Sequence, residues 1–215
     1  MLIREVMTPN PITIRPESDY LAAIALMRAG RFRHLPVVDE QGRPVGIIAG
    51  VDLGSVQSAG KLKQQAIQSD GVLVRVQEVM KHPVITTTPD YPLEEAAREM
   101  IEHRISCLPV IEGEQLVGII TATDIFHMFV KILGGGSQTI RVCVQVDNMP
   151  GQLAELTRRI AEVGGNILSI ASYPADTPTR INVTLRIDGV TRDALKAALD
   201  AHPGIEVSSI WTQPA

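Results

Sequence analysis

Three side chains able to bind a sugar phosphate stand close together near the middle of the chain. The apolar stretch Gly118–Ile120 is followed by Thr121, Thr123 and Asp124, the last at the start of a predicted helix. A carboxylate at a helix N-terminus can accept both hydrogens of a ribose diol, and threonine hydroxyls can donate to an adjacent phosphate. The alternative is that Asp124 only caps the helix, which is a common role for aspartate. These residues by themselves leave both roles open.

The same pattern occurs once earlier in the chain with one change. Residues Gly46 to Asp52 repeat the spacing, but Ala49 stands where the later copy has Thr121. The carboxylate of Asp52 is kept while a hydroxyl is lost. We therefore expect two nucleotide sites of unequal strength.

Other groupings of reactive residues are weaker. His103 and Cys107 are four residues apart and could be metal ligands on one helix face, but two ligands are too few and Pro109 ends the helix nearby. The sequence has neither a GxSxG nucleophile motif nor a phosphate loop with Lys-Ser/Thr. We expect a protein that is not an enzyme, with no catalytic residue, no metal site and no required cofactor.

The elements that position these residues form an internal repeat. Residues 6–53 align with residues 79–125 at an offset of 73, which becomes 72 after a one-residue deletion in the second hairpin. Matching pairs are Met7 and Met80, Thr13 and Thr86, Pro16 and Pro89, Met27 and Met100, and Pro36 and Pro109. Two copies stacked about a pseudo-twofold axis can bury the faces that one copy leaves open, and the cleft between them is a natural ligand site.

Each repeat is predicted to be a β-α-β-β-α unit. A β-prone piece precedes an amphipathic helix, two short apolar strands follow, and a last helix begins near the aspartate. The β-prone pieces are Ile12–Ile14 and Val84–Thr87, and the helical apolar positions are Leu21, Ile24, Ala25 and Met27 in one copy and Leu93, Ala96, Ala97 and Met100 in the other. We place the first repeat at residues 1–60 and a connector with the second repeat at residues 61–133, the polar stretch Gly54–Val76 linking them.

A different module follows a glycine-rich hinge at residues 134–138. Residues 139–215 show the order strand, helix, strand, strand, helix, strand, which is the ferredoxin-like βαββαβ arrangement. The fold class is therefore α+β, with a repeat pair followed by a separate small domain.

The repeats resemble the cystathionine-beta-synthase (CBS) domain, whose tandem pair is called a Bateman module. The resemblance rests on the VM(x)P start, the "LPV" strand and the "VGII" strand, each present twice in order over residues 1–132. The stretch DNMPGQLAELTRRIAEVGGNI looks like an ACT domain, a small-molecule-sensing module. A CBS pair followed by ACT is similar to the B-type acetoin-utilisation proteins of bacteria.

The CBS resemblance implies roles for further residues. Residues 118–124 match the nucleotide pattern of the family, whose members place phosphate-binding Arg and His before the "LPV" strand, where this chain has Arg31, Arg33 and His34. Arg104 is a weaker candidate in the second repeat, and a solvated basic face is the alternative. The adenine of the better site is expected near Thr88, the backbone of Ser106 and Cys107, and Ile120.

The ACT resemblance implies a second ligand. Ligand-binding relatives use the first strand-to-helix turn and the start of the second strand, which here supply Asn148, Gly151 and Asn166. Gly151 lets a carboxylate approach the backbone amides, and the asparagines can bind its polar groups. The alternative is that the glycines only shape turns.

Composition and charge limit the classes of partner that the chain is expected to bind. Twenty basic and 24 acidic residues give a net charge of −4, and seven aromatic residues leave little for stacking bases, so nucleic acid is not expected. No apolar stretch reaches the roughly 18 residues of a membrane helix, and two distant cysteines suit a reduced cytoplasm. We expect a cytoplasmic regulatory homodimer that binds an adenine nucleotide (AMP, ADP, ATP or S-adenosylmethionine), and an amino acid in the ACT domain, and acts on a metabolic enzyme partner. The alternative is a scaffold with vestigial sites.

Overall fold

The computed structural model describes residues 1–50, 74–134 and 139–212. Asp52, most of the connector and residues 135–138 of the predicted hinge lie outside the described residues. The chain forms two compact units, Met1–Phe126 and His127–Ala215. The division falls inside the helix that follows the Thr121 motif.

The N-terminal unit holds the two repeats. Its helices are α1 (Tyr20–Gly30), α2 (Leu93–Glu102) and the first part of α3 (Ala122–Ile132), and its strands are β1 (Thr8–Pro9), β2 (His34–Val38), β3 (Pro44–Ala49), β4 (Cys107–Glu112) and β5 (Gln115–Thr121). Strands β2 and β3 form one antiparallel hairpin, while β1, β5 and β4 form a three-stranded sheet in that order. The predicted helix and hairpin of each repeat are present.

The opening segment of each repeat packs on the other repeat. The short 3-10 helix Ile3–Glu5 begins where the Ile3 amide donates to the Tyr91 carbonyl (3.0 Å), and in the second copy the Val76 amide donates to the Ser18 carbonyl (2.9 Å). Strand β1 then pairs with β5 of the second repeat. This exchange interlocks the repeats and brings residues of both into each cleft.

The recurring Met and Gly of the two repeats are packing partners across the exchange. A Cβ on Gly118 would collide with the Met7 side chain, and a Cβ on Gly46 would collide with Met80. The absence of a side chain at each glycine therefore lets the opening segment of the other repeat approach the strand. The packing of the methionine of one repeat on the glycine of the other explains why both residue types recur in the repeats.

The predicted helical faces are correct only in part. Met27, Leu93, Ala96 and Met100 are buried, but Leu21 is 53% exposed, since the buried side of α1 is carried by Ala23 and Met27. The predicted strand pieces at Ile12–Ile14 and Val84–Thr87 are reduced to single parallel bridges, Ile14 to Val37 and Thr87 to Val110. Proline at positions 16 and 89 stops either piece from extending.

The C-terminal unit has the βαββαβ order expected of a ferredoxin-like ACT domain. Its elements are β6 (Ile140–Asp147), α4 (Gln152–Glu162), β7 (Asn166–Pro174), β8 (Arg180–Asp188), α5 (Arg192–Asp200) and β9 (Glu206–Thr212). The strands form one antiparallel sheet in the order β7-β8-β6-β9. Alternating valines of β6 face Leu156 and Leu195 of the two helices in a continuous core, so this unit has a hydrophobic centre of its own.

Candidate functional site

The turn from β5 into α3 holds Thr121 and Asp124 in a capping box. The Thr121 amide (2.8 Å) and hydroxyl (2.6 Å) both donate to Asp124 Oδ2, and the Asp124 amide donates to Thr121 Oγ1 at 3.3 Å. These bonds satisfy donors that a helix start would leave unpaired. Within the described residues, Asp124 Oδ1 has no hydrogen-bond partner. Capping and ligand binding are thus compatible, because they use different oxygens.

Asp124 opens into a cleft of about 510 Å³, which we call the Asp124 cleft. Its lining is drawn from both repeats and comprises Thr8, Asn10, Pro11, Ile12, Arg31, Phe32, Arg33, His34, Ile119, Thr121, Thr123 and Asp124. The Arg33 guanidinium donates to Thr123 Oγ1 at 3.1 Å, which holds a cation beside the threonine hydroxyls. Ile12 and Phe32 supply apolar surface. The cleft therefore combines a carboxylate, cations and an apolar wall.

A smaller cleft of about 250 Å³, the Ser106 cleft, is the internal-symmetry counterpart of the Asp124 cleft. It is lined by His34, Ile47, Ala49, Lys81, Pro83, Val84, Ile85, Arg104, Ile105, Ser106, Cys107 and Pro109. Ala49 takes the place of Thr121, so the motif hydroxyl is absent. Burial raises the pKa of the Cys107 thiol to about 12, against the opposing effect of the Lys81 ammonium. The thiol is neutral at physiological pH.

The residues expected around the adenine do not all meet Asp124. Ser106 and Cys107 line the Ser106 cleft, Ile120 is fully buried, and the exposed Thr88 lines neither cleft. The predicted adenine site was built only from residues of the second repeat. The exchange instead sets Asp124 against Asn10, Ile12 and Phe32 of the first repeat.

The basic residues expected at the phosphate are placed with Asp124. Arg31, Arg33 and His34 line the Asp124 cleft, whereas Arg104 lines the Ser106 cleft. Arg31 and Arg104 share a left-handed backbone, with φ of 53° and 54°, shortly after the ends of α1 and α2. The symmetry of the two clefts extends to this backbone detail.

His34 belongs to both clefts. Its Nε2 lies 2.8 Å from Ser106 Oγ, so it contacts the second repeat directly. Burial holds the pKa of the His34 imidazole below its usual 6.5, and the neighbouring Arg33 and Lys81 cations lower it further while Asp124 opposes them. The ring is neutral at pH 7.

Sequence analysis missed Asn10, Ile12 and Phe32 as cleft residues. None of them carries a distinctive motif, since their position depends on β1 crossing to β5. The available signal was the internal offset of 73, which relates Phe32 to Ile105 beside Ser106. A symmetric pair of clefts would have been found by pairing those positions.

Metal and membrane features were also sought. Across residues 1–50, 74–134 and 139–212, no three His, Cys, Asp or Glu side chains converge as metal ligands. His103 instead lies 3.3 Å from the Glu99 carboxylate. In the same ranges, no helix is both long and apolar enough to span a bilayer.

The three candidate ACT residues are not brought together within one chain. Asn148 and Gly151 lie in the turn after β6, where Gly151 has φ of 91° and open space around it. Asn166 begins β7 and pairs with Asp188, beyond the Ile140–Ile187 pair at the opposite end of the sheet. With about 3.4 Å per residue along β6, the two ends are roughly 24 Å apart.

Two family models match the chain. The CBS domain model matches residues 3–53 and 76–131, and the ACT domain model matches residues 139–204. Among curated proteins, an uncharacterised protein of Methanocaldococcus jannaschii is 33% identical over 160 residues, or 71% of this chain, and the L-aspartate semialdehyde sulfurtransferase of that organism is 30% identical over 129 residues, or 60% of this chain. The chain spans only 38% and 23% of the lengths of these relatives.

Two solved structures cover the paired repeats. A CBS domain pair in complex with 5′-methylthioadenosine and S-adenosyl-L-methionine is 30% identical, with a TM-score of 0.50, and the match covers 61% of this chain and 97% of that one. A Vibrio cholerae protein named for acetoin utilization is also 30% identical, with a TM-score of 0.52, and the match covers 62% of this chain and 93% of that one.

Proposed function

We propose that this chain, which belongs to the CBS domain proteins and carries a C-terminal ACT domain, is a regulatory ligand-sensing protein. In this proposal the Asp124 cleft binds an adenine nucleotide. The solved CBS pair that is 30% identical holds two adenosine derivatives, which supports the ligand class. Binding favours one conformation of the protein over another, and that shift in population is the regulatory signal.

The convergence of Asp124, Thr121 and Arg33 on one cleft is the observation that carries this proposal. Ribose hydroxyls donate to Asp124 Oδ1, because Oδ2 is already occupied by Thr121. Arg33 and Arg31 meet the phosphate with charge-assisted hydrogen bonds, while Ile12 and Phe32 contact the adenine ring.

Charge favours phosphorylated adenosine over S-adenosylmethionine in this cleft. The sulfonium of S-adenosylmethionine is a cation, and Arg31 and Arg33 would repel it. A phosphate carries the opposite charge and gains from the same two residues. AMP, ADP and ATP are therefore the proposed ligands, and we infer weaker nucleotide binding in the Ser106 cleft, where Ala49 lacks the hydroxyl.

Calorimetric titration of the full chain with AMP, ATP and S-adenosylmethionine tests the proposal. We expect Asp124→Ala to weaken AMP binding by about ten- to a hundredfold, since a hydrogen bond to a charged group contributes roughly 1.5–3 kcal/mol. Asp176→Ala is the matched control, because Asp176 is an exposed carboxylate in the other unit. An intact chain that binds no adenylate would instead favour an accessory subunit with vestigial sites.

The ACT domain and the regulated process complete the proposal. We infer that an amino acid binds at the Asn148–Gly151 turn, and that two chains must pair to bring an Asn166 to it, because one chain holds them at opposite sheet ends. The likeness to the Vibrio cholerae protein supports acetoin utilisation as the regulated metabolism, with an enzyme of that pathway as partner.

A further inference from the structure

One imidazole is shared by the two clefts of the CBS pair. His34 is the single residue that lines both the Asp124 cleft and the Ser106 cleft among the described residues, and its Nε2 contacts Ser106 Oγ at 2.8 Å. The next residue, Arg33, donates to Thr123 on the Asp124 side. A phosphate bound in the Asp124 cleft and the Ser106 hydroxyl can therefore both interact with the His34 imidazole.

Burial first, and then the neighbouring cations, lower the pKa of the His34 imidazole and keep the free ring neutral. Arg33 and Lys81 face it with positive charge, Asp124 faces it with negative charge, and Arg31, Arg104 and Cys107 line the two clefts that it joins. Cys107 does not titrate near neutrality, because burial raises its pKa to about 12. An imidazole with one N–H can either donate to Ser106 Oγ or accept from it.

A bound phosphate changes this balance. An anion within roughly 4–6 Å commonly raises the pKa of an imidazole by about 1–3 units, which is the direction that favours the protonated ring. The proton comes from solvent and fills the vacant ring nitrogen. With N–H groups on both nitrogens, Nε2 can only donate, and Ser106 Oγ becomes its fixed acceptor.

We propose that His34 is a proton-linked specificity residue: the Asp124 cleft binds phosphorylated adenosine with uptake of one proton at His34, and Ser106 positions the protonated ring. This inference rests on the proposed nucleotide function. In this proposal, the pH dependence of binding arises from the phosphate of the ligand and not from its nucleoside. The affinity for AMP falls as pH rises, because the concentration of free protons in solution is then lower.

Calorimetric titration of the full chain between pH 7 and 9 tests the linkage. A phosphate monoester is already dianionic across this range. We expect the AMP dissociation constant to rise by up to about tenfold per pH unit, with proton uptake visible as a dependence of the binding heat on the buffer, while adenosine shows neither effect. His34→Asn abolishes the slope, and the matched control His103→Asn, on the exposed side of α2, retains it.

The role of Ser106 is tested by its own pair of variants. Ser106→Ala is expected to flatten the pH profile for AMP, and Ser106→Thr to restore it, which a purely structural role would not do. AMP binding that is independent of pH in the unmodified chain, or a full slope in His34→Asn, would overturn the inference.

A readout without adenine separates this inference from the proposed function. If neither AMP nor adenosine binds, the proposed function fails. NMR titration of the His34 ring in the full chain with and without saturating inorganic phosphate still tests the linkage. An upward shift of the midpoint with phosphate supports it, and an unchanged midpoint rejects it.

Discussion

At the scale of single residues, the same side chains serve stability and recognition. Asp124 gives one carboxylate oxygen to the cap of α3 and leaves the other toward the cleft. The two roles can be separated by the choice of substitution, because an amide keeps an acceptor for the cap and an alanine does not.

Asp124→Ala should therefore lower stability as well as affinity. We expect a loss of about 0.5–2 kcal/mol in the free energy of unfolding, the usual cost of losing a helix-capping side chain, and a smaller loss for Asp124→Asn. Urea denaturation of both variants measures the difference. Equal losses would mean that an amide oxygen cannot replace the carboxylate in the cap.

Arg33 is expected to recognise charge in the ligand. Arg33→Ala should weaken AMP and ATP binding by about tenfold or more and leave adenosine binding nearly unchanged, because adenosine has no phosphate for the guanidinium to meet. Calorimetry with the three ligands compares them, and Arg28→Ala, an exposed arginine on α1, is the control. A uniform loss for all three ligands would show that Arg33 supports the fold through Thr123 instead.

Residue patterns predicted half of the Asp124 cleft. Thr121 and Asp124 were predicted from the repeated motif, Arg33 and His34 were predicted from the CBS resemblance, and all four line the Asp124 cleft. Ser106 and Cys107 were predicted beside Asp124 but line the Ser106 cleft, because a repeat in sequence does not reveal which copy faces which. That information resides in the pairing of β1 with β5, where only two residues pair.

At the scale of elements, the interlocked opening segments determine how the two repeats pack together and which residues line each cleft. The order of helices and strands along the chain was predictable in both units, since apolar periodicity marks each element. The strands predicted at Ile12–Ile14 and Val84–Thr87 were not formed beyond one bridge each, since β-prone composition does not ensure a partner strand of adequate length.

Gly118 tests the exchange of segments. Gly118→Ala should destabilise the chain by about 1–3 kcal/mol, the usual cost of overpacking, because the new methyl group meets Met7 and lies 3.2 Å from the Thr8 carbonyl. Thermal unfolding of the unmodified chain, of Gly118→Ala, of Met7→Ala and of the double variant forms a thermodynamic cycle. Additive losses would indicate that the two positions do not contact each other.

At the scale of the whole molecule, we expect exposed apolar side chains to be covered by self-association. Ile101 is 77% exposed and Phe126 is 68% exposed in the first unit, while Leu168 is 49% exposed on the edge strand β7 of the second. Apolar surface and free strand edges of this kind are commonly covered by a partner. A twofold homodimer is the commonest arrangement that covers the same surfaces on both copies.

Light scattering at micromolar concentration tests the dimer. The expected mass is about twice the 23.3 kDa of one chain. Ile101→Glu and Leu168→Glu, each in the full chain, then locate the interface, because a buried charge weakens association only where the partner sits. A mass near 23.3 kDa for the unmodified chain would refute the dimer.

The position of Asn166 far from the Asn148–Gly151 turn has a consequence for how such a protein responds in a cell. If, as proposed, the amino-acid pocket is completed only by a second copy, the pocket exists in proportion to the number of assembled pairs. Ligand binding and assembly are then one equilibrium, in which dilution of the protein empties the pocket and added ligand drives pairing. The response depends on two concentrations at once, that of the metabolite and that of the protein itself.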